Sequence, residues 1–519
     1  MGRKTALILL SVAILIPIGR SIAGLTETLP TYHWAYEYME ELRIRGFFSE
    51  LNFSKKPFSR GEVAESLVGL LVAGWAMDDM PKAVWLLDEL YDEFAAEMNL
   101  IRKGNSVDEF SVGLLTQAGL VNDNSGTDDS ESFRIKGGFQ AGKNFGVYNA
   151  MNFDGDLPKD TTYLGREWRG LSAFTEQGYL SYETKRFSVL FGRDFRRWGI
   201  GRRGTLLISD HSRPLDQLAA ELSIGPVELS FIASELDRID GMRRYLSAHR
   251  IDVRLSNSLN ISVSELLIYG GVDASPIAAF TNPALVFHGE NLNDDSRANT
   301  LGSIDILWYP KRYWRLSGAI LIDDFQLDNK ELGDLEPNEI GFILGMQRAN
   351  PLNMDGVDLW AEYVRITNRT YTTPNREETL IHRNRTIGYF LGNDFDSREF
   401  GASIWLTEGM KIVSSLTLIR DGAGGINELF TTPWLEKDSD GNDIYSIESG
   451  YSEPFPTGTV QNITSFEISA EKSISNRLRI RIDFENRRYD NFRNVEGETE
   501  SENRFFIGFW YDFVRTVGL

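Results

Sequence analysis

From about residue 106 to the C-terminus, apolar and polar residues alternate with a period of two. In 477–485, Leu478, Ile480, Ile482 and Phe484 alternate with Arg477, Arg479, Arg481, Asp483 and Glu485. Ile251, Val253 and Leu255 alternate with Arg250, Asp252 and Arg254, and Trp314, Leu316, Gly318, Ile320 and Ile322 with Arg315, Ser317 and Asp323. Successive strand side chains point to opposite faces, so each segment carries one apolar and one charged face. A sandwich would turn the apolar faces inward, whereas a membrane barrel turns them outward around a polar lumen. Length favours the barrel. These segments run about ten to fourteen residues, against the five or six common in globular sheets, and suit a tilted membrane span.

Connection lengths separate the two architectures further. With 503–513 as a last strand running toward the periplasm, the connections counted backwards alternate long and short. The long ones are 490–503, 420–461, 367–399, 325–338, 270–299, 236–245, 195–216 and 153–170. Between them fall the short ones at 473–477, 408–411, 348–356, 309–312, 256–260, 225–227, 185–186 and 142–144. Outer-membrane barrels have short periplasmic turns and long outside loops, and a sandwich has no reason to keep such a rhythm. Parity then requires one more strand before 133–142. Residues 110–121 supply it, with the acidic segment 122–132 as the first outer loop. The expectation is an all-β transmembrane barrel of eighteen antiparallel strands with nine outer loops. A weaker strand signal at 382–391 would break the parity and is assigned to a loop. In the last strand Phe505, Ile507, Phe509, Tyr511 and Phe513 share one face, which resembles the C-terminal signal read by the outer-membrane assembly machinery. Residues 514–519 follow it as a short tail.

The first hundred residues follow other periods. Arg3 and Lys4 precede an apolar run over 7–18, and Ser21 and Ala23 supply small residues at −3 and −1, the pattern of a secretory signal cleaved after Ala23. Residues 24–105 then read as a small α-helical module on the periplasmic side. Trp34, Tyr38 and Leu42 recur four apart on one face of a first helix. Ser59 with Glu62 three residues on forms a capping box for a second, running through Leu71. A third runs from Pro81 through Trp85, Leu90, Phe94 and Met98 to Gly104 as its C-cap. The barrel takes 106–513.

Composition narrows the partners. The chain of 519 residues holds 47 glycines and 12% aromatics and carries a formal charge of −21. Abundant Gly and aromatics suit a barrel in which only every second strand residue meets lipid. The acidity argues against a nucleic-acid partner. The chain has no cysteine, so a lipid-modified Cys, a disulfide framework and a thiolate metal site are all excluded.

Several segments resemble the capsule-assembly Wzi family. They are 192–199 (Gly-Arg-Asp-Phe-Arg-Arg-Trp-Gly), 209–214, 282–290 (Asn-Pro-Ala-Leu-Val-Phe-His-Gly-Glu), Asp323-Asp324-Phe325, and 388–394 with Tyr389 and Gly392. They fall in matching order over about half the chain. The resemblance implies an eighteen-stranded outer-membrane barrel with a periplasmic helical module, acting as a lectin that holds capsular polysaccharide at the cell surface. Within the module, 32–42, Gly46-Phe47 and 58–64 resemble a single S-layer-homology motif. That likeness implies cell-wall binding, against the alternative of a helical bundle that caps the periplasmic mouth.

The segment 193–213 concentrates charge of the opposite sign. Arg193, Arg196, Arg197, Arg202, Arg203 and Arg213 stand against Asp194 and Asp210 in an otherwise acidic chain. Guanidinium forks match carboxylates and phosphates bidentately, Trp198 offers a face for a sugar ring, and Gly199, Gly201 and Gly204 let the backbone pass close to a ligand or fold into the lumen. One reading makes these arginines and Trp198 the binding loop for an acidic surface polysaccharide. The other folds the loop into the barrel, its arginines paired with lumen carboxylates such as Asp252, Asp305 and Glu485.

No arrangement points to catalysis. Ser209, His211 and Ser212 are adjacent only in sequence, there is no Gly-x-Ser-x-Gly elbow, and no histidine pair has metal-ligand spacing. The acidic run 438–443 lacks the ligand spacing of an EF-hand. No metal and no cofactor is implied. The leading expectation is a non-enzymatic polysaccharide-binding barrel in contact with outer-membrane lipid. A carbohydrate-selective or general porin, and an accessory barrel of a secretion or motility complex, are the alternatives.

Overall fold

The computed structural model describes residues 24–73, 81–104, 108–168, 171–271, 282–291, 298–326, 330–475 and 477–518. The expected leader, residues 1–23, lies outside them. Among the described residues no helix is long and apolar enough to cross a membrane.

The strands close into one antiparallel barrel. They are β1 (Glu109–Asp123), β2 (Gly126–Ala141), β3 (Phe145–Asp154), β4 (Leu171–Glu183), β5 (Phe187–Asp194), β6 (Leu215–Ile224), β7 (Val227–Glu235), β8 (Arg243–Ser256) and β9 (Leu259–Gly271). The second half comprises β10 (Ala298–Trp308), β11 (Trp314–Asp324), β12 (Glu339–Ala349), β13 (Val357–Ile366), β14 (Phe395–Thr407), β15 (Met410–Asp421), β16 (Gln461–Ser475), β17 (Leu478–Asp490) and β18 (Thr499–Gly518). Closure is made by β1 on β18, from Glu109 opposite Gly518 to Asn122 opposite Phe505. The eighteen strands are those that turn parity requires.

Three details differ from the sequence reading. Residues 122–132 are not a loop, because β1 and β2 continue as a paired hairpin whose tip is Asn124-Ser125. Its polar positions pair beyond the apolar belt, where a strand needs no lipid-facing residues. Residues 514–518 are not a free tail, since they extend β18 to give the start of β1 a partner. The segment 382–391 is indeed outside the barrel but not wholly irregular, for Ile381–His382 pairs with Arg385–Thr386 inside an outer loop.

Outward positions carry a continuous apolar surface. Ile135, Leu180, Leu218, Val263, Ile304, Phe466, Ile482 and Ile507 are all exposed, as expected of residues that meet acyl chains rather than protein.

The helical module does more than cap the mouth. It comprises α1 (Ala35–Ile44), α2 (Arg60–Ala73), α3 (Pro81–Glu93) and α4 (Ala95–Lys103). The expected third helix breaks at Phe94, where the chain turns (φ −99°) so that Glu93 and Glu97 both reach Arg60, at 2.9 and 2.6 Å. Ser59 and Glu62 form the reciprocal cap of α2, and Gly104 closes α4 at φ +69°. The module is seated in the lower lumen. Arg45 pairs with Asp358 at 2.7 Å, Lys55 with Glu221 at 2.8 Å, the Tyr179 hydroxyl meets Thr28 at 2.8 Å, and the Trp405 indole donates to Glu41 at 2.7 Å. Its apolar residues, among them Tyr38, Leu42, Phe47, Phe58 and Leu67, belong to one core cluster with lumen residues such as Leu246 and Ile343.

Candidate functional site

The outer loop between β5 and β6 turns into the lumen instead of standing outside. Its glycines make the turn possible. Gly199 and Gly201 hold φ of +121° and +130°, and a Cβ on Gly201 would lie 2.1 Å from the carbonyl oxygen of Gly204. The inturned chain reaches the helical module, where Arg197 and Trp198 pair antiparallel with Lys56 and Lys55. The Gly199 amide also donates to the Ser54 carbonyl at 2.8 Å. A second outer loop, 367–394, covers it from above. The Ser209 amide donates to the Ile387 carbonyl at 2.7 Å, and the Tyr371 hydroxyl to the Leu206 carbonyl at 2.6 Å. The second loop is in turn clamped by the buried Arg244, which donates to the carbonyls of Glu377 and Thr379, both at 2.6 Å.

Each arginine singled out in the sequence has a protein partner. Arg193 donates through both sides of its fork to Asp216, at 2.8 and 2.5 Å, directly across the β5–β6 ladder. Arg196 is buried, bonded to Gln217 at 2.9 Å and 3.7 Å from Glu221. Arg197 meets Asp210 at 2.9 Å and the carbonyl of Gly201. Arg213 meets Asp160 at 2.8 Å. Arg202 and Arg203 occupy the inner tip. The Arg202 amide donates to Glu362 at 2.9 Å, and its guanidinium lies 3.9 Å over the ring of Trp360. Arg203 contacts Glu399 at 3.0 Å and also Glu467. These two keep 34% and 29% of their side-chain surface, the most of the six.

Two expectations need correction. Trp198 offers no sugar platform, being 1% exposed and held by its backbone between Ile208 and Lys55. The loop does fold into the barrel, but its carboxylate partners are not Asp252, Asp305 and Glu485. Arg250 engages the first two at 3.0 and 2.6 Å, and Arg487 engages the third. Alternation marks which acids face the lumen, but it cannot say which of them a folded-in loop reaches.

Nearer the outer surface Asp160 ties three loops together, accepting from Arg213 and, at 2.5 Å, from Arg385, whose Nη1 also donates to the His211 carbonyl at 3.2 Å. Burial raises the Asp160 carboxyl, but the Thr162 hydroxyl and amide and the Arg385 charge outweigh it and bring the group down to about 2. Burial, with Arg385 beside it, lowers His211 and keeps the ring neutral. The arrangement is an ionic staple.

The comparisons accord with this architecture. The profile of the capsule assembly protein Wzi family matches residues 111–503. Among solved structures, the chain is similar to Escherichia coli Wzi, described as an outer membrane protein involved in group 1 capsule assembly and a carbohydrate-binding β-barrel. That likeness has a TM-score of 0.60 and 15% identity over 94% of this chain and 99% of that one. The outer membrane protein OprD of Pseudomonas aeruginosa aligns at TM-score 0.45 and 10% identity, over 79% of this chain and 95% of that one. No curated protein sequence matches the chain. A profile match spanning most of the barrel settles the assignment: the chain belongs to the capsule assembly protein Wzi family.

Proposed function

We propose that the protein is a non-enzymatic outer-membrane barrel that binds capsular or exopolysaccharide and helps assemble or retain it at the cell surface. In this reading a leader cleaved after Ala23 exports it, and mature protein sequenced from the N-terminus starts at Gly24. Its family and the carbohydrate binding of the Escherichia coli neighbour support the reading.

The observation that carries it over a porin is a lumen filled from both ends. The helical module enters from below, the β5–β6 loop enters from above, and the two meet in the Lys55–Lys56 and Arg197–Trp198 pairing. A barrel closed in this way holds a polymer better than it conducts a solute. Cell-wall binding through the module fares less well, because Tyr36, Tyr38, Leu42, Phe47, Phe58 and Val63 of the S-layer-like segments are buried. An acidic polymer, the finer expectation, would have to displace carboxylates from arginines already matched to them.

Retention on immobilised protein tests the reading. Purified barrel is expected to retain capsular polysaccharide from the producing cells. Arg202→Ala with Arg203→Ala is expected to weaken retention about tenfold or more, the scale of one lost charged contact, whereas Arg196→Ala, on an already buried and bonded side chain, leaves it unchanged. Failure of the unaltered protein to retain any polysaccharide ends the proposal.

A further inference from the structure

The lumen is filled unevenly. Toward β8–β13 the inward charges are sealed: Arg250 is 0% exposed and holds Asp252 and Asp305, themselves buried. Across the barrel, on β16–β18, several inward charges stay in solvent. Glu467, Arg481 and Arg487 keep 33%, 43% and 44% of their side-chain surface, and Glu502 and Arg504 are exposed. Register makes these positions inward, because they alternate with the lipid-facing Phe466, Ile482, Phe484, Phe505 and Ile507. The inturned loop reaches this wall through Arg203, at Glu467.

The space left is a crevice. At the outer rim, about 300 Å³ lies between the tip of the β1–β2 hairpin and Glu485, Arg487, Glu502 and Arg504. Deeper, about 220 Å³ is lined by Ser415, Glu467, Ser469, Glu471 and Arg481. Between the two lie inward groups bonded in pairs, Arg481 to Asp483 at 2.7 Å and Ser465 to Glu485 at 3.1 Å. A chamber of about 350 Å³ beneath Arg202 and Trp360 shares Glu37 and Lys411 with the deeper cavity. The floor is shut. Lys411 pairs with Glu37 and Glu41, the Tyr38 hydroxyl lies 3.4 Å from that of Ser473, and the Arg479 guanidinium covers the Trp34 ring at 4.3 Å. The rim cavity thus lies at the loop end of this wall, and these contacts close the deeper one on the side of the helical module.

Its chemistry selects the occupant. Guanidinium donors and carboxylate acceptors alternate down the wall, Arg481 matched to Asp483, Arg487 to Glu485 and Arg479 to Glu471, with serine hydroxyls between. Such a wall offers no surplus positive charge to a polyanion, and the outer rim adds the acids of an acidic chain. Sugar hydroxyls both donate and accept, so they can bridge such pairs without leaving a buried charge alone. We infer that the crevice along β16–β18 is the seat of a glycan segment of no net charge, entering from the outer face and held through its hydroxyls. This rests on the polysaccharide-binding reading above.

The chain has no native cysteine, so single cysteines report on this wall cleanly. In purified protein Ser469→Cys is expected to react with a polar maleimide, and Ser264→Cys, buried on the sealed wall, at least tenfold more slowly. The probe is capsular polysaccharide from the producing cells, used native and after chemical reduction of its carboxyl groups. Both forms are expected to slow labelling of Ser469→Cys about tenfold. An unreactive Ser469→Cys shows that the crevice is filled and overturns the inference. Labelling that polysaccharide leaves unchanged, on a protein that still retains the polymer, puts the site elsewhere and spares the broader reading. Protection by the native polymer alone overturns the uncharged ligand. Loss of retention for both polymers removes the broader reading and this one with it.

Discussion

Glu97 lies 0% exposed in α4 with the Arg60 guanidinium at 2.6 Å, and burial nevertheless pushes its carboxyl up to about 7 from the usual 4.5. A carboxyl raised on folding favours the neutral form. Its stabilising contribution is complete below the unfolded value of 4.5 and is lost as pH rises through about 7, at most about 3 kcal/mol by the shift. The midpoint for thermal loss of helical circular dichroism is therefore expected to fall between pH 5 and pH 8, and Glu97→Gln to flatten that fall. An equal fall in the variant removes Glu97 as the cause. The same limit of sequence reading operates at the loop. The six arginines, their glycines and their unusual sign were legible, because composition alone sets them apart. The partners of Arg202 and Arg203 were not, since Glu362, Glu399 and Glu467 lie 160 to 264 positions away and come together only through the register of a closed barrel.

Among elements, short turns set register tightly while loops are free to fold anywhere the lumen admits them. Strand number was readable because lipid enforces alternation on every span. The β1–β2 hairpin was misread where that constraint ends, past the apolar belt, where Asn122 bonds Thr127 at 2.6 Å and Asn124 bonds the Ser501 carbonyl at 2.6 Å. The inward course of the β5–β6 loop depends on packing at Trp198 and Leu206 that no local pattern announces. Asp160 binds three such loops. Asp160→Ala leaves Arg213 and Arg385 without their shared acceptor, a loss of about 2 kcal/mol of local stability for charged hydrogen bonds of this kind. Protease nicking within 367–394 of the folded protein is expected to rise, by up to about thirtyfold on that figure. An unchanged nicking rate would mean that the Tyr371 and Ser209 contacts hold the loops without it.

At the scale of the whole molecule, the barrel wall is complete and the lumen is closed by its own contents. In planar bilayers the protein is expected to carry no steady current. Tyr38→Ala with Trp405→Ala, which opens the floor of the crevice beside Lys411, is expected to produce one, whereas Ser264→Ala on the sealed wall is not. A steady pore in the unaltered protein would contradict the closed floor. The pairing of Lys55–Lys56 with Arg197–Trp198 has a mechanical consequence. Hydrogen bonds run from a long loop to the helical module through the barrel's interior, without using the wall. Tension on a polymer gripped outside would pass down this line as shear on a short ladder, the loading geometry in which several bonds must fail together. Drag on the cell coat would then reach α1 and α2, and the barrel would act as an anchor bolt fixed on its inner side.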